Sequence, residues 1–195
     1  MTSVLVYANI YIDTRGIQRK GDFMRKVLCV AVTVVIAVIT VLGFFFIRDS
    51  VGVSAEKLEA DARESQRINE DWLVSKSVSD EIAVMVFYPE SLDDHVFSVY
   101  AKNDSLSYGY FFKSGGGLYT DEGVARFDFN NTSAYYSTNK IGISQIEVIY
   151  PDKIETLEID SEKPFAFALP DGAAFARFWD SSGNEAEIIK PSEFM

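Results

Sequence analysis

An uncharged apolar run of 21 residues, from Val27 to Ile47, constrains this chain more than any other feature of its sequence. As an α-helix the run would extend about 31 Å, close to the roughly 30 Å hydrocarbon thickness of a bilayer. No soluble strand of that length is expected, and in lipid a helix satisfies all of its own main-chain hydrogen bonds. The run therefore predicts a single transmembrane helix over residues 27–47, with the lipid bilayer as its partner.

The charges on either side of this run predict its orientation. Residues 1–47 contain five Lys and Arg against two Asp and Glu, and all five basic residues precede the run. Basic residues near a span are retained in the cytoplasm. Residues 1–26 are therefore predicted to be a cytoplasmic N-terminus and residues 48–195 to be extracytoplasmic. The expected location is the cell membrane, as a single-pass protein.

The residues before the run raise the question of where the natural chain starts. Lys20 to Met24 can be encoded as AAA GGA GAT TTT ATG, in which a purine-rich ribosome-binding sequence precedes a start codon. A chain starting at Met24 would enter the apolar run directly after Met-Arg-Lys, which is the usual form of a bacterial signal or anchor. Residues 1–23 are therefore interpreted as a mis-assigned leader, with a genuine short cytoplasmic tail as the alternative.

The residues that follow the run bear on whether it is cleaved. Val53, Ser54 and Ala55 include small side chains where signal peptidase requires them. The apolar run is, however, longer than the roughly 7 to 15 residues of a signal-peptide core. An uncleaved signal anchor is the expectation, and the alternative is a secreted β domain after cleavage near Ala55.

A second segment, residues 54–74, contains no Gly or Pro and is rich in helix-forming residues. Apolar residues such as Leu58 and Ala62 fall roughly on one stripe, which is thin for a coiled coil. Residues 48–79 are therefore predicted to be a helical stalk or linker, in which a short helix lays Trp72 on the following domain. A homodimer through this stalk is the alternative.

From residue 80 to residue 195 the pattern changes to short strands separated by turn-forming residues. The strand-like segments are rich in β-branched and aromatic residues. They are residues 81–88, 95–101, 106–113, 124–130, 133–138, 144–150, 155–160, 164–169, 173–179 and 185–189. With no helix-length amphipathic run among them, they predict a mainly-β extracytoplasmic domain, an antiparallel sandwich or barrel.

Several classes of site are not predicted. The formal net charge of −11 argues against a nucleic-acid partner, since nucleic acid repels an acidic surface. His95 is the only histidine and Cys29, inside the apolar run, is the only cysteine. A metal centre needs several converging ligands, and a Cys-His site needs a thiol that the β domain lacks. A Ser-His-Asp triad would have to recruit His95, and no nucleophile-elbow motif supports it. No catalytic residue, metal or cofactor is therefore assigned.

The candidate binding residues come from the aromatic density of the β domain. Eleven Phe and Tyr residues lie between residues 97 and 136. An exposed face bearing Tyr108, Tyr110, Tyr135 and Tyr136 would stack on the sugar rings of a cell-wall glycan or dock an envelope protein. The alternative is that these aromatic side chains fill the core.

Together these features predict a membrane-anchored extracytoplasmic binding or interaction module of a bacterial envelope, without enzymatic activity. The layout resembles that of many small single-pass envelope proteins of low-GC Gram-positive bacteria, and this architectural resemblance implies no site residues. The alternative is an envelope enzyme or accessory subunit that uses carboxylates of the β domain. A binding module should present a flat surface or an edge strand, whereas an enzyme should show a cleft with converging acids of perturbed pKa.

Overall fold

The helical N-terminal part and the β-rich part of the chain form two separate units in the computed structural model, which divide between residues 49 and 50. The structure describes residue 28 and residues 30–43, 51–103, 108–118 and 123–190. The predicted cytoplasmic N-terminus and the candidate start at Met24 lie outside these residues.

In the N-terminal unit, residues 30–43 are α-helical and are named α1 here. The large apolar side chains along α1 are exposed, as is Leu28, at 65%. Residues 27, 29 and 44–47 of the predicted membrane span lie outside the described residues. Within the described part of the chain, no helix has both the length and the apolar character that crossing a membrane requires.

Four antiparallel strands form the first sheet of the C-terminal unit, called sheet 1. In spatial order they are β1 (Leu73–Val78), β2 (Ile82–Tyr88), β3 (Val96–Ala101) and β4 (Phe111–Gly117). Every residue of β2 is buried, because β2 lies between two strands and has both faces covered. Its sequence, IAVMVFY, is accordingly a continuous apolar run without alternation.

Seven further strands form two more sheets. They are β5 (Val124–Phe129), β6 (Thr132–Ser137), β7 (Ile143–Ile149), β8 (Ile154–Glu158), β9 (Phe165–Ala168), β10 (Phe175–Asp180) and β11 (Ile188–Ile189). Sheet 2 has the order β11-β5-β6-β9, and sheet 3 has the order β10-β7-β8. The strand pairs are antiparallel except for β11, which runs parallel to β5.

The three sheets and a nine-residue helix, α2 (Leu58–Gln66), stack as four layers joined by three apolar clusters. The first cluster packs α2 on one face of sheet 1, where Leu58 meets Phe87 and Tyr100. The second joins the other face of sheet 1 to sheet 2, and the third joins the opposite face of sheet 2 to sheet 3. The predicted mainly-β architecture is confirmed, and the described residues form three sheets packed face to face, consistent with a sandwich rather than a barrel.

The segment predicted as a stalk, residues 48–79, is built into this domain. The apolar stripe of α2 is covered by sheet 1, so that Leu58 and Ala62 are fully buried. Trp72 packs on the same cluster. From Leu73 onward the chain is β1, paired along its length with β2. The β domain therefore begins before the predicted boundary at residue 80.

Strand β4 departs most from the predicted pattern, which placed a strand at residues 106–113 and a turn at the following glycines. The glycines instead lie within β4. A Cβ atom on Gly115 would lie 2.8 Å from the Gln66 Nε2 atom and 2.8 Å from the Phe97 carbonyl oxygen. The Gln66 amide donates hydrogen bonds to that oxygen and to the Ser98 hydroxyl. Gly115 is required because the end of α2 lies directly on the strand.

The first described residues of the C-terminal unit are held by main-chain hydrogen bonds. The Val53 N–H donates to the Tyr110 carbonyl oxygen at 2.8 Å, and the Tyr110 N–H donates to the Val53 carbonyl oxygen at 2.8 Å. The approach is so close that a Cβ atom on Gly52 would lie 2.5 Å from the Tyr110 oxygen, and Gly109 adopts a φ of +86°. Residues 51–53 are therefore part of the fold.

Candidate functional site: an open sheet face and a free strand edge

Among the residues that the structure describes, sheet 3 is covered on one face only. On its inner face, Ile146 and Val148 of β7 and Phe178 of β10 are buried against sheet 2. Because side chains alternate along a strand, their neighbours point to the opposite face, called the outer face here. The strand register arranges nine outer-face residues in three rows across β10, β7 and β8. The rows are Phe175, Ile149 and Ile154; Arg177, Glu147 and Thr156; and Trp179, Gln145 and Glu158.

These rows give the outer face an apolar end, a charged middle and an end that carries the Trp179 indole. Ile154 is 63% exposed and Phe175 is 39% exposed. The Arg177 guanidinium carbon lies 5.6 Å from the centre of the Phe175 ring, and its Nε atom lies 3.7 Å from the Glu185 carboxylate. The apolar end of the outer face can therefore stack on an apolar group, and the charged side chains beside it can hydrogen-bond to polar atoms at the edge of that group.

Strand β8 is an edge strand with both faces open. All five residues of Ile154–Glu158 are exposed, and among the described strands β8 pairs only with β7. Edge strands present unpaired main-chain groups to which another strand can bind.

Hydrogen bonds at both ends of β8 fix which of its main-chain groups are unpaired. The Tyr150 N–H donates to the Lys153 oxygen at 2.9 Å. The Ile159 N–H donates to the Ser144 oxygen, also at 2.9 Å. Hydrogen-bonded and non-hydrogen-bonded pairs alternate along an antiparallel ladder. Every second residue of β8 therefore turns its N–H and C=O away from β7, and these residues are Ile154, Thr156 and Glu158.

A groove runs beside β8 on its inner side. Leu157 pairs with the buried Ile146 of β7 but is itself 43% exposed. The groove has a volume of about 470 Å³, and its mainly apolar wall includes Val74 of β1, Tyr88 of β2 and Phe165 of β9. It is called the β8 groove here, and side chains on the inner side of an added strand would enter it.

The surroundings of β8 are acidic. Residues 152–163 contain five carboxylates and two lysines. Lys153 forms an ion pair with Glu155, and Lys163 pairs with Asp160 at 2.7 Å. The hydrogen bonds from these ammonium groups lower the pKa of the Glu155 and Asp160 carboxyls. The other carboxylates have no ion pair with any described residue, and they are Asp152, Glu158 and Glu162.

The four tyrosines predicted to bind occupy four different environments. Tyr108 is 78% exposed, whereas Tyr110 is buried and its hydroxyl donates to the Ser79 oxygen at 2.6 Å. Tyr135 lies between sheets 2 and 3 and Tyr136 between sheets 1 and 2, where burial raises its pKa to about 12. The structure does not bring them together on one face. Three of them, Tyr110, Tyr135 and Tyr136, fill apolar clusters.

The only histidine of the chain lies in the interior. His95 is buried with its ring centre 6.5 Å from that of Tyr88, and its main-chain N–H donates to the Asp94 carboxylate at 2.8 Å. Among the residues that the structure describes, no group of three His, Cys, Asp or Glu side chains is arranged to hold a metal ion. His95 therefore has a place in the core and none at a described metal centre.

The wall of a second open cavity includes Asp171, one of a hydrogen-bonded pair of carboxyl groups. Asp171 lines a cavity of about 390 Å³ together with Glu81, and it is hydrogen-bonded to Asp80. Partial desolvation, and then the hydrogen bond and negative charge of Asp80, raise the pKa of Asp171. A carboxyl of raised pKa that is hydrogen-bonded to a second carboxyl is the kind of arrangement that an enzymatic function would use.

The sequence contains signals for part of the open face. The alternation of Phe175, Arg177 and Trp179 is typical of one exposed side of a strand. In β8, acidic side chains fall on both faces, since Glu155 points inward and Glu158 outward. Charges on both faces are typical of an edge strand. The sequence does not show which strands pair, because strand pairing depends on contacts between residues that are distant in sequence.

Comparison of the chain with models of protein families, with curated proteins and with solved structures found no match. Its function is therefore inferred from the geometry of its own residues.

Proposed function

We propose that the chain is a membrane-anchored, non-enzymatic binding module of a bacterial envelope that displays its β domain outside the cell membrane. The observation that carries the proposal is the exposure of all five residues of β8, an edge strand bordered by the outer face of sheet 3 and by the β8 groove. The partner is an envelope protein or a cell-wall glycan that docks on this side of the domain.

Anchoring is supported by the sequence. Residues 27–47 carry no charge over a length that matches the bilayer, and all five Lys and Arg of residues 1–47 precede them. This distribution favours a cytoplasmic N-terminus and an extracytoplasmic β domain.

An uncleaved anchor is favoured by the contacts after residue 50. Cleavage near Ala55 would detach Val53, which exchanges two main-chain hydrogen bonds of 2.8 Å with Tyr110. The Lys76 ammonium also donates to the Ala55 oxygen at 3.2 Å. A released domain would lose these contacts, so the secreted form is not part of the proposal.

Dimerisation through the predicted stalk is also left out of the proposal. Leu58 and Ala62, which would form the seam between two helices, are fully buried within one chain. A second copy would have to displace sheet 1 to reach them. A homodimer through residues 48–79 therefore stays a prediction without support from burial.

Topology is tested by cysteine labelling in cells. The variant Cys29→Ala with Ser182→Cys places one thiol in an exposed turn of the β domain. A membrane-impermeant maleimide should label it in intact cells and in the membrane fraction, to the same extent as in lysed cells. Labelling only after lysis would refute the extracytoplasmic location, and recovery of the protein in the soluble fraction would refute the anchor.

Docking is tested by photo-cross-linking at two matched exposed positions. A photoreactive amino acid replaces Thr156 in β8, and as the control it replaces Glu64 on α2, in the layer at the opposite side of the stack. The proposal predicts a discrete adduct from position 156 and none from position 64. Equal adducts, or none from either position, would contradict docking on sheet 3.

The carboxylate pair favours an enzymatic alternative, and the same assay separates the two functions. The double variant Asp80→Asn with Asp171→Asn removes the hydrogen-bonded acid pair at the cavity of about 390 Å³ and leaves Glu81 in its wall. A binding module should keep the adduct at position 156 in this variant. Loss of the adduct, with the fold retained, would move the function to the carboxylates.

A further inference from the structure

We infer that the partner docked at β8 is an extended, basic polypeptide segment that adds to sheet 3 as a fourth strand. The inference rests on the proposed function and names the class of partner for the same site. Three independent features lead to it: the main-chain groups of β8, the β8 groove and the charge around both.

The free edge of β8 offers main-chain hydrogen bonds in the spacing of a strand. Ile154, Thr156 and Glu158 turn their N–H and C=O groups away from β7, so donors and acceptors recur at every second residue, roughly 6.6 Å apart. An extended polypeptide presents acceptors and donors with the same repeat, and this is how peptides add to sheet edges. A glycan has no such regular row of paired groups.

The β8 groove supplies the places for alternate side chains. Residues of an added strand that face inward would enter the space of about 470 Å³ beside Leu157 and Tyr88. Because the wall there is mainly apolar, aliphatic side chains fit at these positions. Residues facing outward would extend the three rows of the outer face.

The negative charge around β8 favours a basic partner and disfavours a second copy of this chain. Residues 152–163 carry five carboxylates, and both lysines of this segment are already paired within it. Two copies joined edge to edge at β8 would bring two such acidic segments together, which electrostatic repulsion opposes. Lys or Arg at the outward positions of a peptide would instead lie near Glu158 and Asp152. The preferred segment therefore alternates aliphatic and basic residues.

The test uses the full chain in neutral detergent and two labelled octapeptides, one alternating Val and Lys and the other alternating Val and Glu. Fluorescence anisotropy, corrected with empty micelles, should show the Val-Lys peptide binding at least about tenfold more tightly. Amide exchange should slow at Ile154, Thr156 and Glu158, because these N–H groups become hydrogen-bonded to the peptide.

Two variants of one residue separate strand addition from other modes of binding. Thr156→Pro removes an N–H that faces away from β7 and blocks the edge without breaking the ladder. It should weaken Val-Lys binding by at least about tenfold, whereas Thr156→Val, which keeps the N–H and changes only the side chain, should weaken it far less. If the proline variant does not fold, Glu158→Lys with Glu162→Lys replaces it, and binding should weaken by about the same factor.

Each remaining outcome overturns the inference in a recognisable way. Equal binding of both peptides, or binding insensitive to Thr156→Pro, would exclude a basic strand at the edge. Self-association abolished by Thr156→Pro would identify a second copy as the occupant, and binding of purified peptidoglycan that survives this change would identify a glycan on the outer face. An adduct at position 156 without Val-Lys binding would refute the inference and leave the proposed function standing; loss of both would refute the two together.

Discussion

The hydroxyl oxygen of Ser75 in β1 accepts a hydrogen bond from the main-chain N–H of Ala166 in β9 at 3.1 Å, across 91 positions of sequence. Two residues further along both strands, Ser77 accepts from the Ala168 N–H at 2.9 Å. These serines belong to sheet 1 and cover the edge of sheet 2. The edge of β9 is thus satisfied by side chains, whereas the outer edge of β8 in sheet 3 pairs with no described residue.

The hydrogen bonds from β9 to the hydroxyl groups of Ser75 and Ser77 should contribute measurably to stability. Ser75→Ala with Ser77→Ala would leave two partly buried N–H groups without acceptors, at a cost of about 1 kcal/mol each. Urea unfolding of the full chain should show a lower free energy of unfolding than the wild type. Ser182→Ala, in an exposed turn, is the control and should unfold like the wild type. A double variant as stable as the control would mean that water replaces the serines.

The contact between α2 and β4 predicts that Gly115 tolerates no side chain. In Gly115→Ala, the added Cβ would lie 2.8 Å from both Gln66 Nε2 and the Phe97 oxygen, so the helix or the strand must shift. Overpacking of this kind costs roughly 1–3 kcal/mol. Thermal unfolding followed by circular dichroism should show a lower midpoint for Gly115→Ala than for Ser114→Ala, the neighbouring control. Equal midpoints would show that Gln66 moves away without cost.

The same contact explains where prediction from the sequence failed. β-branched and aromatic residues mark most of the strands in the sequence, including β2. Glycines normally favour turns, and nothing local indicates that Gln66 needs the space at Gly115. Strand β1, with the sequence LVSKSV, falls within the predicted helical linker, and the hydrogen bonds of its two serines to β9 depend on contacts distant in sequence.

The candidate site was predictable only in part for the same physical reason. An aromatic side chain has the same appearance in a sequence whether it is buried or exposed, so Tyr135 and Tyr136 could not be distinguished from Tyr108. The alternation at Phe175 and Trp179 identified one exposed face. The open edge of β8 depends on the order of strands in sheet 3, which is a property of the whole fold.

The carboxylate pair predicts a pH-dependent effect on stability. Desolvation, and then the hydrogen bond and charge of Asp80, raise the pKa of Asp171 above its usual value of 3.8, while Lys102 opposes the shift. A carboxyl whose pKa is higher in the folded state contributes stability below its unfolded pKa and loses it as the pH rises through the folded pKa. Asp171→Asn abolishes this loss and should be more stable than the wild type at neutral pH.

The difference should vanish in acid. Well below pH 3.8, Asp171 is protonated in the folded and unfolded states alike and resembles asparagine, so the melting temperatures of the two proteins should converge as the pH falls toward 3. Melting temperatures of the wild type and Asp171→Asn between pH 3 and pH 8 give the comparison. A difference that does not change with pH would assign the effect to packing at residue 171.

Tyr108 and Tyr110 provide a matched test of whether the aromatic residues bind or fill the core. Tyr110→Ala removes a buried ring and its hydroxyl bond of 2.6 Å to the Ser79 oxygen, which should cost about 3–5 kcal/mol. Tyr108→Ala removes a ring that is 78% exposed and should change the free energy of unfolding by less than about 0.5 kcal/mol.

Binding by the Tyr108→Ala variant then shows whether the partner contacts the exposed tyrosine. Tyr108 bridges to Val51 at the start of the described β domain, and it belongs neither to the outer face of sheet 3 nor to the β8 groove. Tyr108→Ala should therefore leave the adduct at position 156 and the binding of the Val-Lys peptide unchanged. If it weakens both while the protein stays folded, the partner contacts the exposed tyrosine, and the docking surface must extend from sheet 3 to the strand segment at residues 108–110.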